Sequence, residues 1–385
     1  MREIIITLYL VGFNIIFSLF KLSPLKNKVV FLVSFTENPL YLYEQLKEEK
    51  LSVQTIFLCR PSCYQELKAT GELTYLFETK QIGQTLKGIY HLATSKEIIV
   101  DNYYGFLATV KFKKSVRCTQ IWHAAGAIKQ FGMVDPTNKN RSSLALNRFK
   151  KVYQQFDCIV VGSEFMTTIY EQAFLAKSES FLRTGIPRTD FFFNEAQMTA
   201  VGESLYQDNP ALKEKKVLLY APTFRKGQDV VTELALDLAK MDEALKAEYV
   251  LILKLHPQVS YDIDFSQLYP GFVFDYGSYP NVNDLLVITD ILISDYSSIP
   301  MEFAFLGRQM IFYAYDLEAY KDSNGLWEDY IHSMPGPVVK TTEEVIEVIL
   351  NDKVNHEKIV QFSKKWNAYS TGTASEQLVN YLFKN

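Results

Sequence analysis

Two successive sets of short apolar runs constrain the fold of this chain more tightly than anything else in its sequence. The first set is VVFLVSF (29–35), VQTIFLC (53–59), EIIVDN (97–102), TQIWH (119–123) and DCIVVGS (157–163). The second is KVLLYAPT (216–223), YVLILKLHP (249–257), FVFDY (272–276), DILISDYS (290–297) and QMIFYAYD (309–316). Runs of this length, rich in Val, Ile and Leu and closed by turn residues, read as buried strands. The stretches 39–49 and 142–155, and in the second set 234–247, 281–288 and 299–307, read as helices. Strand–helix alternation builds a parallel sheet with helices packed on it, so two sets predict an α/β chain of two doubly wound domains. A length of 385 residues suits two domains better than one core.

No internal repeat or low-complexity linker interrupts the pattern. Gly and Pro in GIPRTDFFF (185–193) mark the joint. The expected division is a hydrophobic segment 1–24, a domain 25–190 and a domain 191–385 that includes a helical tail over 354–385, a tail able to pack back across the joint. Two facing Rossmann-like domains with a cleft between them make the GT-B architecture, in which ligands lie at the carboxyl ends of the strands.

Residues 4–20, IIITLYLVGFNIIFSLF, carry no charge. As a helix they reach roughly 25 Å, the short limit for crossing a bilayer. No small-residue cleavage site follows; Lys21, Lys26 and Lys28 do, and they suit an anionic lipid surface on the cytoplasmic side. The expectation is a helix that lies in or dips into the membrane, on a peripheral membrane protein. Charge distribution agrees: residues 1–190 carry 24 Lys and Arg against 16 Asp and Glu, residues 191–385 carry 16 against 28. Only the amino half is therefore equipped for an anionic partner, with Lys139, Arg141, Arg148, Lys150 and Lys151 close together. Cys59, Cys63, Cys118 and Cys158 show no metal spacing, which points to a reducing cytoplasmic compartment.

Of five histidines, His123 and His256 close predicted strands, at matching places in the two sets. An imidazole near its intrinsic pKa is suited to take a proton from an attacking hydroxyl, although a lone strand-end histidine is often structural. The small residues Ala124, Ala125, Gly126 and Ala127 after His123 let backbone approach a ligand closely. In DILISDYSSIPMEF (290–303) a strand ends at Asp295, and Ser297 and Ser298 precede Pro300. Free N–H groups and two hydroxyls at a helix start can hold a diphosphate; the plain alternative is N-capping by Ser298. Glu302 serves either the helix dipole or a ribose. Arg225 in APTFRKG and Arg188 in GIPRTD can bridge phosphate oxygens. The triplet Asp262-Ile263-Asp264 sits in a polar loop and is read as loop, so no metal site is expected. No Walker loop, GxGxxG after a strand or HExxH is present.

Taken together, QIWHAAGAIKQFG (120–132), TGIPRTD (184–190), YAPTFR (220–225), LKLHP (253–257) and DILISDYSSIPMEFAFLGRQMIFYAYDLEAY (290–320) resemble the CDP-glycerol glycerophosphotransferase family of teichoic-acid synthesis. They run in the family's order. The WHAAGAIKQFG form and the short length look most like its primase branch, which adds the first glycerol phosphate to a lipid-diphosphate-linked disaccharide. The resemblance implies a GT-B fold and a CDP-glycerol donor, with no cofactor and no nucleic-acid partner. It places His123 and His256 on the family's two essential histidines and residues 124–127 against the donor diphosphate. It also places Arg188, Pro222, Thr223, Lys254, Ser297, Ser298 and Glu302 on donor-binding positions, with Asp295 supporting them. A polymerase, or a ribitol-phosphate transferase of the same family, is the alternative.

Overall fold

The computed structural model describes residues 2–225, 234–255, 263–351 and 353–384. The chain forms two compact units. The first comprises residues 1–124, 131–190 and 368–385, the second 125–130 and 191–367.

In the first unit, β1 (Lys26–Val33), β2 (Gln54–Cys59), β3 (Leu73–Leu76), β4 (Ser95–Val100), β5 (Arg117–Gln120), β6 (Cys158–Val160) and β7 (Phe181–Leu182) form a sheet of order β3-β2-β1-β4-β5-β6-β7. Every pairing among these described strands is parallel. Val29 to Val33 are wholly buried, as a strand covered on both faces must be. In the second unit, β8 (Lys216–Ala221), β9 (Tyr249–Leu253), β10 (Val273–Asp275), β11 (Ile291–Ser294), β12 (Gln309–Tyr313) and β13 (Val338–Val339) give a parallel sheet of order β10-β9-β8-β11-β12-β13. Both orders reverse direction once, between β1 and β4 and between β8 and β11. The carboxyl ends at such reversals are where doubly wound sheets hold ligands.

The structure redraws three details. Residues 368–385, counted with the second domain but read as a tail able to pack back across the joint, belong to the first unit. The reason is apolar: Leu378, Val379 and Leu382 of helix Ala374–Phe383 complete the core that holds Leu42, Tyr43 and Leu46. Residues 125–130, expected with the first domain, belong to the second unit. There Lys129 bridges Leu326, and the N–H of Trp327 donates to the Ile128 carbonyl at 3.1 Å. Finally, His123 does not close β5. The strand stops at Gln120, and Trp122 turns the chain in a left-handed conformation (φ 53°).

The amino-terminal helix Arg2–Phe20 lies against the first unit. Phe13 stacks on Phe106 at 4.7 Å between centroids and meets Phe77 edge-on, while Phe17 meets Phe112 edge-on. Its other face leaves Ile4, Ile5, Leu8, Val11, Ile15 and Leu19 exposed.

Candidate active site

Among the described residues, the sequence-predicted ones collect at the carboxyl ends of both sheets. In the first unit the centre is His123. Its Nδ1 lies 3.0 Å from the carbonyl oxygen of Asp101, the residue after β4. A carbonyl only accepts, so Nδ1 carries the proton and Nε2 is the nitrogen able to take one. The imidazole is stacked by Phe35 at 4.6 Å and flanked by Trp122 at 4.3 Å. The backbone around it is tied down as well. Asn38, buried, donates from Nδ2 to the Trp122 carbonyl at 2.9 Å. Arg188, also buried, donates from Nη1 to the His123 carbonyl at 3.1 Å, and its own N–H goes to Asn38 Oδ1 at 2.9 Å. The guanidinium expected on the donor is thus engaged beside the imidazole within its own unit. Ala124 ends the first unit's part of this loop.

Ala125, Gly126 and Ala127 open the segment that belongs to the second unit. Glycine is needed at 126, because a Cβ there would lie 2.6 Å from Trp366 Cε3 and 3.0 Å from Met301 Cγ. The close approach anticipated for a ligand is made, at this residue, to a tryptophan.

In the second unit the centre is the end of β11. The Asp295 carboxylate accepts the N–H of Thr223 at 2.8 Å and of Tyr296 at 2.7 Å, tying the loop after β8 to the loop after β11. Arg225 donates to Asp295 at 2.8 Å, to Asp316 at 2.7 and 3.0 Å, and to the Thr223 carbonyl at 2.6 Å. Tyr296, Tyr315 and Tyr320 surround its guanidinium at 5.0, 5.5 and 4.9 Å. Asp316 and Tyr330, whose hydroxyl reaches the Asp295 carbonyl at 2.7 Å, are further members of this cluster that the sequence reading did not single out. Lys254 donates to the carbonyls of Gly277 and Tyr279, both at 2.8 Å. Burial lowers its pKa, an effect that Asp275 opposes.

The serines behave differently from simple caps. Ser298 occupies the N-cap position of helix Ile299–Phe303 but makes no side-chain cap, while Ser297 Oγ accepts the Ile299 N–H at 3.2 Å. That helix spans five residues, so local N–H groups and hydroxyls, rather than a macrodipole, are what it offers an anion. Next to them, Thr223 Oγ1 is buried and finds no hydrogen-bond partner among the described residues. A buried hydroxyl in that state is a group a ligand could satisfy. Pro222 precedes it, and Glu302 is buried in the first turn of the helix.

His256 and Asp262 lie outside the described residues. Asp264 caps helix Phe265–Leu268 by accepting the N–H groups of Ser266 and Gln267 at 3.0 and 3.1 Å. Among the described residues no group of three or more His, Cys, Asp or Glu is placed to hold a metal ion. A cavity of about 560 Å³ opens at the other end of the second sheet, near Lys216, Asp290 and Arg308, away from these residues.

Three comparisons bear on this arrangement. The family model described as CDP-glycerol:poly(glycerophosphate) glycerophosphotransferase matches residues 15–384. A teichoic acid glycerol-phosphate primase of Bacillus spizizenii strain W23 is 37% identical over 360 residues, covering 93% of this chain and 92% of that protein. The protein of the same description from Bacillus subtilis strain 168 is 35% identical over 364 residues, with coverage of 93% and 92%. Among solved structures, a variant of the wall teichoic acid polymerase TagF aligns with a TM-score of 0.81 at 23% identity, over 100% of this chain and 97% of that one. That likeness establishes a GT-B-like fold.

Proposed function

The chain belongs to the CDP-glycerol:poly(glycerophosphate) glycerophosphotransferase family, and from that premise we propose that it is a teichoic-acid glycerol-phosphate primase. It moves one glycerol phosphate from CDP-glycerol to a lipid-diphosphate-linked disaccharide of the ManNAc-GlcNAc type and releases CMP. The observation that carries the chemistry is the lock of His123 Nδ1 on the Asp101 carbonyl, which leaves Nε2 as a base. An acceptor hydroxyl gives its proton to Nε2 while its oxygen bonds to the glycerol-bearing phosphorus. The bond from that phosphorus to the bridging oxygen breaks, and CMP departs with the electron pair. Phosphoryl transfer of this kind is driven by positioning and by charge stabilisation.

The donor diphosphate is assigned to the carboxyl end of the second sheet, where Thr223, Ser297 and Ser298 present hydroxyls and N–H groups. Lys254 and the backbone of residues 124–127 would contribute, with Glu302 toward the ribose. His256 is assigned to steady the pyrophosphate, on the strength of the resemblance. Arg188, Arg225 and Asp295 are assigned bracing roles, because their polar atoms hold site loops. The reaction is proposed to need no metal.

The first unit would hold the acceptor and meet an anionic membrane surface. Support comes from the amino-terminal helix, whose stretch Glu3–Phe20 has mean hydropathy 2.0 and is 11% buried. Length and composition would let it cross a bilayer. Its Phe13 and Phe17, however, pack within the unit, and only the opposite stripe is bare, which suits a helix lying in the interface. The protein is accordingly placed on the cytoplasmic side of a Gram-positive cell membrane.

The test is to incubate the full chain with a lipid-linked disaccharide and either CDP-glycerol or CDP-ribitol, with and without EDTA, and to weigh the products. Glycerol-phosphate transfer that survives EDTA is expected. Transfer from CDP-ribitol alone, or a requirement for added Mg²⁺, would overturn the donor or the metal-free scheme respectively.

A further inference from the structure

Asp101 follows β4, next to the end of β1, at the point where the first sheet reverses its order. Its side chain is wholly buried and both oxygens are used. Oδ2 accepts the N–H groups of Ser34 at 2.6 Å and Phe35 at 2.8 Å, and Oδ1 accepts the Tyr104 hydroxyl at 3.2 Å. Ser34 Oγ and the Tyr104 hydroxyl, 2.8 Å apart, complete the ring of bonds. The same residue's carbonyl takes His123 Nδ1. Phe35, one of the two residues fixed by the carboxylate, lays its ring on the imidazole at an interplanar angle of 24°.

Structure alone accounts for a buried carboxylate that satisfies two N–H groups. It does not account for Phe35, which is 43% exposed and so is not held in place by burial. The second unit ties its own reversal point in the same way, with Asp295 accepting the Thr223 N–H. In the first unit the carbonyl of Asp101 holds His123 Nδ1, and its carboxylate holds the backbone of the residue stacked on that ring.

We propose that Asp101 and Phe35 are positioning residues for the transfer: the Asp101 carbonyl fixes which imidazole nitrogen carries the proton, and the Asp101 carboxylate, through the Phe35 backbone, holds the ring that fixes the plane of the imidazole. This rests on the reading of His123 as the base. Neither residue touches the reacting atoms; both act through His123, and small losses of alignment at a base are costly to rate.

The experiment is steady-state kinetics of the full chain, with CDP-glycerol varied at fixed lipid-linked acceptor, alongside thermal unfolding. Phe35→Leu should lower kcat about tenfold or more while KM for CDP-glycerol moves less than about twofold. Its unfolding midpoint should not shift, and Phe35→Tyr should recover most of the rate. Asp101→Ala should lower kcat further. Asp101→Asn should recover much of that loss, since an amide oxygen can still accept both N–H groups. Phe35→Leu combined with His123→Ala should be no slower than His123→Ala alone. ¹⁵N spectra of the parent, assigned with His123→Ala, should show a protonated Nδ1, whatever the variants' stability. Parental kcat in Phe35→Leu, a loss confined to KM or to unfolding, or a protonated Nε2 with a bare Nδ1 would overturn the inference and leave His123 in place. Parental activity in His123→Ala would instead remove the base, and the inference with it.

Discussion

A guanidinium that a sequence offers as a phosphate ligand can be consumed by its own neighbours, and Arg225 is such a case. Its fork spans Asp295 and Asp316, with three tyrosine rings around it. Lysine has the charge but not the fork, so Arg225→Lys leaves one of two carboxylates undercompensated. The expected cost is roughly 2–4 kcal/mol of stability in urea unfolding, with CDP affinity of the folded protein reduced less than about tenfold. Intact stability with a larger loss of CDP binding would return Arg225 to the donor. The sequence could place Arg225 after a strand, because strand ends are legible. It could not show that Asp316, 91 residues away, waits beyond the next strand but one. Asp101 and Phe35 were missed for a related reason. Phe35 closes VVFLVSF and Asp101 is the last residue but one of EIIVDN, but partnership across a sheet reversal is a property of strand order, which no local pattern carries.

At the scale of elements, the strands read correctly were, apart from the edge strand β10, inner strands of the two sheets. Those missed, β3, β7 and β13, are sheet edges, two of them only two residues long. Edge strands lack the continuous apolar run that betrays a central one. The amino-terminal helix was legible as apolar, but not that it divides its faces between protein and surroundings. Changing Ile4, Leu8, Ile15 and Leu19 together to Ser should cut co-sedimentation with anionic vesicles at least about tenfold, since each apolar side chain contributes on the order of 1.5–3 kcal/mol when buried. The unfolding midpoint should hold, because Leu10, Phe13 and Phe17 remain. Undiminished vesicle binding would move the anchor elsewhere, to the basic stretch 139–151 first.

Helix Ile82–Ala93 carries a second test. His91 Nδ1 lies 3.1 Å from Nζ of the buried Lys28, which also donates to Thr94 Oγ1 at 2.6 Å. Burial first, then the charges of Lys28 and Lys26, push the His91 pKa down to about 4. The folded state therefore binds fewer protons than the unfolded one between the ordinary histidine value and about 4. Stability present above that window should be lost as pH falls through it. His91→Gln keeps an acceptor for Lys28 and does not titrate, so thermal unfolding of that variant should show a flatter acid limb. An unchanged slope would assign the limb to other groups.

For the molecule as a whole, the two parallel sheets were legible, and the family motifs fell just after their strands. The fold itself is silent on how many units are added, because a polymerase shares it. The prediction of one glycerol phosphate per acceptor rests on other grounds. The chain is 35% and 37% identical to two glycerol-phosphate primases, over 93% of its length and 92% of theirs. A polymerase must retain or rebind a growing polyanion, which favours basic surface beyond the catalytic residues. Here the basic surplus is confined to residues 1–190, and residues 191–385 carry a net acidic charge. One lipid diphosphate and an anionic membrane, as proposed, would be enough to employ that surplus, while an acidic second half would repel a long polyphosphate. The WHAAGAIKQFG form around His123 agrees. Mass spectra of products taken over time, with CDP-glycerol in large excess, should show a single added glycerol phosphate that persists after the acceptor is exhausted. A ladder spaced by glycerol phosphate, or no reaction until an already primed acceptor is supplied, would make the protein an elongating enzyme. The role of His123 and the donor would stand in either case, because the same nucleophilic displacement serves the first addition and every later one.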